Sequence, residues 1–430
     1  MASVLLCSTP FHGHIMPLTA VARYLVARGH RVRFLTGSNY RGAVEATGAT
    51  FLPLPAEADY DDTDMDASFP DRVGRSGLDG VRWDASNIFL RPAAAQLRAV
   101  DEALAAEPVD AVLVESTFVA AALLLMRQKR PTVVYLGLSP LALPSVDTAP
   151  FGLGIQPLRG PLGPVRNRLL ALFVEKVVLG PVQKEAEQIA KDLTGEQARG
   201  FFMNALARAD AVVQFSVPSF EYPRRDLPST VQYIGPVSRT TPSTRELPEW
   251  WPELEGSQPV VHLTQGTVAN TNYDELIAPA MEALENEDVL VVVSTGGRPV
   301  STLPKPLPAN ARAAEYLPHD RLLPLTDVFV SNGGYGGVHV ALEHGVPLVV
   351  AGKTEDKAEV TARVAWAGVG INLKTNRPTP KQVRDAVRKV LADDRYRVAS
   401  RRIGADIAAS PGLAGLERVI EDLIRPSVVE

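Results

Sequence analysis

Val4-Leu-Leu-Cys-Ser-Thr-Pro-Phe-His-Gly-His-Ile-Met-Pro17 opens the chain and decides how the rest is read. Val4–Cys7 is a short, uninterrupted apolar run, the pattern of a strand buried on both faces. Leu18–Arg28 follows with Leu18, Val21, Ala22, Leu25 and Val26 at helical spacing, and Gly29 stands where a helix C-terminus wants a left-handed residue. Val32–Leu35 reads as the next strand, and the theme returns at Val109–Val114, Thr132–Leu136 and Ala211–Phe215. Strands that alternate with helices predict a parallel sheet covered on both faces.

A second series starts after a break. Val237–Ser257 is rich in Ser, Thr and Pro and reads as a linker, with its Trp250 and Trp251 expected to pack where the halves meet. Beyond it lie Val260–Leu263, Val289–Val293, Val328–Ser331 and Pro347–Ala351, again separated by helix-like segments. The prediction is α/β with two doubly wound parallel-sheet domains. Their boundaries are expected at 1–236 and 259–410, joined by a linker at 237–258. Residues 411–430 are expected to form a terminal helix. Ser139–Pro164 carries prolines at 140, 144, 150, 157, 161 and 164, which forbids a continuous helix there. Val165–Leu179 then reads as an amphipathic helix. It is either an ordinary domain helix or a wall facing something apolar, a substrate or a membrane surface.

Composition narrows the function. The 430 residues are 46% hydrophobic and 22% charged, enough for large cores, and their 32 Gly and 35 Pro follow no repeat period. A net charge of −5 gives no general pull toward nucleic acid or anionic surfaces. The lone Cys7 forbids an internal disulfide and Cys-based zinc sites, and reads as a small buried hydrophobe. Phe118–Met126, the longest apolar run, is half a membrane span, and the N-terminus lacks the basic start of a secretory signal. The expectation is a cytoplasmic protein.

The turn after the first strand lacks the Gly-x-Gly-x-x-Gly of dinucleotide folds, which argues against a nicotinamide enzyme. In its place stand His12 and His14. Ligands bind at the carboxyl ends of strands in open α/β sheets, so a histidine here is a candidate general base. Glu115 ends the apolar run Ala111–Val114 at the same sheet edge and can orient and charge-stabilise that ring. Asp110, at the other end, is structural. Three Gly-bearing turns follow strands of the second half: Thr264-Gln-Gly-Thr267, Ser294-Thr-Gly-Gly-Arg298 and Asn332-Gly-Gly-Tyr-Gly-Gly337. Backbone amides at such a helix start hold anions, which favours a phosphate-bearing ligand. Asp59, Asp61, Asp62, Asp64 and Asp66 read as a solvated loop rather than a cation site, and His339 as a packing residue.

Taken in order, Gly13-His-Ile-Met-Pro17, Tyr316-Leu-Pro-His319, Asn332–Gly337, His344-Gly-Val-Pro347 and Glu355-Asp-Lys357 resemble the motifs of family 1 glycosyltransferases. This is the group of macrolide, antibiotic, plant and drug glucosyltransferases, and the resemblance spans the whole chain. It implies the GT-B fold, with the two domains facing across a cleft and the terminal helix at 411–430 packing back on the first domain. It implies that His14, partnered by Glu115, deprotonates an acceptor hydroxyl that displaces a nucleoside diphosphate with inversion. Tyr316 takes the place of the tryptophan that stacks on the nucleobase, with His319 beside it. Thr267, Arg298, Asn332, Gly334, Tyr335, Gly336 and Gly337 would surround the diphosphate, and Asp356 and Lys357 the sugar. Phe11, Trp83 and Phe118 are candidates for the acceptor pocket, with Phe89 also apolar there. No metal or other cofactor is implied. The partners are a nucleotide sugar and a hydrophobic small molecule, with no nucleic acid and no integral membrane association, in a monomer or homodimer.

The sequence departs from the family pattern in four places. Glu115 replaces an aspartate, Asn332 the diphosphate-binding histidine, Val340 the ribose-binding glutamate (Glu343 is a possible substitute), and Lys357 a glutamine. Val340 suits a deoxyribose and hence a dTDP-sugar, whereas Asp356 suits a hydroxyl-rich sugar. UDP-glucose is the favoured donor. The rival readings are an epimerase or hydrolase of the nucleotide sugar itself, or a binding protein that has lost catalysis.

Overall fold

A computed structural model describes residues 1–198, 200–237, 246–267 and 270–425. Residues 238–245 of the expected linker and 426–430 of the terminal segment lie outside the described residues.

The first sheet comprises β1 (Ser3–Cys7), β2 (Arg31–Thr36), β3 (Thr50–Pro53), β4 (Ala111–Glu115), β5 (Thr132–Gly137), β6 (Ala211–Gln214) and β7 (Val231–Tyr233). Its order is β3-β2-β1-β4-β5-β6-β7. The second comprises β8 (Val260–Thr264), β9 (Leu290–Ser294), β10 (Ala311–Ala314), β11 (Val328–Ser331), β12 (Leu348–Val350) and β13 (Gly370–Asn372), in the order β10-β9-β8-β11-β12-β13. Every ladder is parallel. Both sheets therefore run 3-2-1-4-5-6, the first with a seventh strand added at its far edge, and this is the doubly wound order whose crevice opens where the strand order reverses. In the first sheet that point is β1/β4, with Cys7 beside Val114; in the second it is β8/β11, with Thr264 beside Ser331.

Apolar residues dominate the central strands, interrupted by Arg33 in β2 and His262 in β8. β3, β7, β10 and β13, the four edge strands, escape the sequence reading because each is only three or four residues long, too short to show a strand pattern. The first helix spans His12–Ala27 and so begins six residues before Leu18. Pro17 lies inside the helix, beyond its first turn, and removes the bond its amide would make to the Gly13 carbonyl. Burial of Ile15, Leu18, Val21, Ala22 and Leu25 holds the helix to the sheet.

The terminal helix Leu413–Ile424 packs Leu416, Val419 and Ile420 into the core of the first sheet. Its Glu417 is held by Tyr24 (2.9 Å), Arg28 (3.1 Å) and His30 (3.1 Å). Trp250 and Trp251 stack at 6.2 Å. Trp251 lies in a cluster with Val260, Leu290, Val292 and Leu317, so the pair covers one face of the second sheet rather than a boundary between the halves.

Polar contacts fasten the halves to each other. Gln214 donates to the Tyr335 hydroxyl (3.1 Å), and the Ser216 hydroxyl meets His339 Nε2 (2.9 Å). The fully buried Arg363 guanidinium is held by Glu221 and Glu359 at 2.8 Å each and lies 4.2 Å over the Tyr222 ring. Glu359 also accepts from the amides of Gly152 (3.0 Å) and Gly154 (2.8 Å). The proline-rich excursion is thus tied to the helix Lys357–Trp366 of the other half.

Candidate active site at the two switch points

The β1/β4 crevice holds one buried network. Glu115, at the end of β4, has no exposed surface, so each carboxylate oxygen needs donors inside the protein. Oε1 accepts from the Thr9 amide (3.1 Å), the Thr9 hydroxyl (3.0 Å) and the Thr117 hydroxyl (2.7 Å). Oε2 accepts from the Thr117 amide (2.7 Å) and meets His14 Nδ1 at 2.7 Å. Burial alone would raise the Glu115 pKa, but the His14 charge and these donors outweigh it and hold it below the usual range. Burial likewise presses the His14 imidazole toward neutrality. The Glu115 charge and hydrogen bond overcome that, Asp356 adds to them, and the His14 pKa lies above its ordinary value.

With Nδ1 engaged, His14 Nε2 has no hydrogen-bond partner among the described residues and can accept a proton. His12 differs. Its backbone amide donates to Asp62 (2.6 Å), and its ring lies 6.3 Å from that of Tyr40. Asp62 also accepts from the Tyr40 hydroxyl (2.6 Å) and is buried. This corrects the reading of the acidic run as wholly solvated: one of its carboxylates anchors the loop to the start of the first helix, where negative charge is favoured.

An aromatic chain leads away from the base. Phe11 lies 6.0 Å from His14, 5.5 Å from Tyr60 and 5.8 Å from Phe89. Tyr60 continues to Phe69 (5.0 Å) and Phe69 to Trp83 (5.9 Å), both edge to face. Phe11 and Trp83 therefore belong to one surface, and Tyr60 and Phe69 join it unforeseen. Phe118 does not: it has no exposed surface and packs in the core of the first sheet, where an apolar residue just past a central strand is drawn. Cys7 is buried as expected, and burial pushes its thiol up.

The β8/β11 crevice is built from glycine turns braced by amide side chains. Asn332 donates to the Gln265 carbonyl (2.6 Å), joining the turns after β11 and β8. Asn270 donates to the carbonyls of Gly266 (3.1 Å) and Thr295 (2.9 Å), joining those after β8 and β9. Gly333 sits at φ +80°, and a Cβ there would lie 2.5 Å from Thr361 Cγ2, so only glycine fits. Gly334 caps the helix Tyr335–Glu343, whose first amides, those of Gly336 and Gly337 among them, lack intrahelical acceptors. Thr267 is exposed at the rim. Tyr316 is half exposed against Gly297, whose φ of +97° and missing side chain admit its ring. The His319 ring lies 5.5 Å from that of His262, and burial lowers the pKa of both.

Four residues of this half behave otherwise than the motif order implies. The Tyr335 side chain is buried between the halves with its hydroxyl on Gln214, away from the glycine turn's open side. The Lys357 ammonium is engaged by Glu355. Arg298 lies 5.5 Å over the Tyr273 ring and donates to the Asn270 carbonyl (3.4 Å). Val340 packs on the apolar cluster between the halves. Asp356 is half-buried; desolvation raises its pKa against the pull of Lys357 and His14, so it lies within electrostatic reach of the base across the cleft.

His30, Glu417 and Glu421 form, among the described residues, the one group of potential metal ligands within 4.8 Å of one another. It lies at the terminal helix, far from these turns in the fold. His30 Nδ1 accepts from the Ala2 amide (3.1 Å) and Nε2 faces Glu417, so both ring nitrogens already serve the latch. No helix among the described residues is long and apolar enough to cross a membrane.

Two facing doubly wound sheets, one crevice lined by a base and the other by glycine turns, are the architecture of GT-B glycosyltransferases. Solved structures agree. A calicheamicin glycosyltransferase matches with a TM-score of 0.72 over 100% of this chain and 99% of its own, at 22% identity. A spinosyn rhamnosyltransferase complexed with thymidine diphosphate matches at 0.68 over 98% and 100%, at 19% identity. Sequence relatives reach further. The 4'-demethylrebeccamycin synthase of Lentzea aerocolonigenes is 40% identical over 98% of this chain and 100% of its own length. UDP-glycosyltransferase 2 of Phaeomoniella chlamydospora is 36% identical over 98% and 95%. Residues 278–423 match the family described as erythromycin biosynthesis protein CIII-like, C-terminal domain. The chain belongs to the family 1 glycosyltransferases and is a sugar-transferring enzyme.

Proposed function

We propose that the protein transfers a hexose, with inversion, from a nucleoside diphosphate sugar to a hydroxyl of a hydrophobic, polycyclic small molecule in the cytoplasm. UDP-glucose is the favoured donor. The observation that carries this reading is the 2.7 Å pairing of His14 Nδ1 with the fully buried Glu115 carboxylate, which leaves Nε2 without a hydrogen-bond partner among the described residues. His14 Nε2 takes the proton of the acceptor hydroxyl as its oxygen bonds to the anomeric carbon. The bond from that carbon to the β-phosphate oxygen breaks on the opposite face, and the diphosphate leaves with the electron pair. The amides at the start of the Tyr335–Glu343 helix stabilise the charge that develops there. No step calls for a metal.

Asp356 is suited to the sugar hydroxyls, and Tyr316 to the face of the base. Lys357, held by Glu355, supports the Asp356 turn rather than the sugar directly. The edge-to-face aromatic chain Phe11–Tyr60–Phe69–Trp83 offers an apolar wall next to the base, which favours a hydrophobic, aromatic acceptor. The relatives at 30–36% identity named UDP-glucosyltransferases or UDP-glycosyltransferase support the uridine nucleotide and glucose.

The test is to incubate the enzyme with UDP-glucose or dTDP-glucose and a panel of polycyclic phenols, and to follow glucoside and free nucleotide. Glucoside formed faster from UDP-glucose is the expected result. UDP released equally with and without acceptor would replace transfer by hydrolysis, and a hundredfold preference for the dTDP donor would overturn the choice of UDP.

A further inference from the structure

The helix Leu162–Phe173, continued by a wide π turn at Val174–Val178, presents an apolar stripe that none of the described residues covers. Leu162 is 70% exposed and Leu169 63%, with Val165, Leu172, Phe173 and Val177 each about half exposed. At 100° per residue the first five share one face, with the exposed Arg168 on one flank and Arg166, bonded to Asn167 Oδ1 and the Gln156 carbonyl, on the other. With Arg159 before the helix and Lys176 in the turn, residues 158–178 carry four cations against the single carboxylate of Glu175, in a chain whose net charge is −5.

The element is rigid. Its opposite face buries Asn167, which donates to the Val146 carbonyl (2.9 Å), and Arg82 clamps its end through the carbonyls of Val177 and Val178 (2.7 Å each). A fixed, Arg-flanked apolar face is what an interfacial helix lays on an anionic bilayer, side chains in the acyl boundary and guanidinium groups among the phosphates.

We propose that this face docks the enzyme on anionic membrane surfaces. Two other occupants fit worse. The 12-residue helix is about 18 Å long, more than one small-molecule acceptor covers. A second copy docked about a two-fold axis would bring this cation-rich face against itself, with Glu175 alone to compensate. The proposal does not depend on the donor or the acceptor assigned above.

Sedimentation of the full-length protein with phosphatidylcholine vesicles, with and without phosphatidylglycerol, tests it. The protein should pellet with the phosphatidylglycerol vesicles and be released as salt rises. L169Q/L172Q should lower the partition about tenfold or more, since two exposed leucines lose their burial, and R168E should lower it several-fold. UDP titration of each variant controls for folding. Pelleting equal to wild type in L169Q/L172Q, or no pelleting with either vesicle, would overturn the proposal. So would a wild-type dimer in light scattering that the same substitutions convert to a monomer without any vesicle binding.

Discussion

The two sheets share one strand order, yet their switch points are built from opposite materials. At β1/β4 the crevice holds charge: a buried carboxylate with five donors and a histidine whose pKa it raises. At β8/β11 it holds backbone: glycine turns, amide braces and a helix start with no acidic residue in its first turn. One topology thus supplies a place to move a proton and a place to receive a leaving anion. The difference lies in the few residues after each central strand. Binding and proton transfer should then fail separately, and substitutions at the two points should show it.

The largest effect belongs to His14→Ala. Removing a general base costs about 10²–10⁴-fold in turnover, while affinity for UDP, measured by calorimetry, should stay within error of wild type. Next is the tie between the halves. Arg363→Met leaves Glu221 and Glu359 buried without their cation and should cost about 3–5 kcal/mol of stability, read as a fall in thermal midpoint. A midpoint close to wild type would mean the halves do not depend on that ion cluster.

Gly333→Ala forces a side chain into a positive-φ turn against Thr361. Strain of about 1–3 kcal/mol predicts roughly tenfold weaker UDP binding, with the pH profile unmoved. The smallest effect is the most diagnostic. Glu115 stabilises the imidazolium, so the acid limb of kcat/KM in wild type should lie above the ordinary histidine pKa. Glu115→Gln removes that charge, lowers the His14 pKa, and should move the limb to lower pH while turnover falls. A limb that stays in place would detach the titration from this pair.

What was legible in the sequence follows from the same contrast. His14 and Glu115 could be paired because each ends or follows an unbroken apolar run, and sheet topology sends such residues to one edge. Thr9 and Thr117 stayed invisible as clamps: Thr9 lies 106 residues from the carboxylate it holds, and a threonine after a strand carries no signal of its own. They also answer the question posed by a glutamate in an aspartate's place, since four of its five partners come from these two residues.

Motif order carried less about side-chain direction. Tyr335 sits inside the glycine signature yet turns its ring between the halves, and Lys357 is spent on Glu355. Phe118 and the tryptophan pair were misread for one reason: apolar residues near a strand end join whichever core lies nearest, and only packing decides which. Asp62 was lost within a run of acids whose other members gave no hint that one of them anchors a helix start.

The division of labour between the crevices is tested most directly by titrating His14→Ala with UDP beside a measurement of its glucoside formation. The account predicts wild-type nucleotide affinity together with turnover lowered by orders of magnitude. Weakened UDP binding in that variant, or turnover equal to wild type, would contradict it.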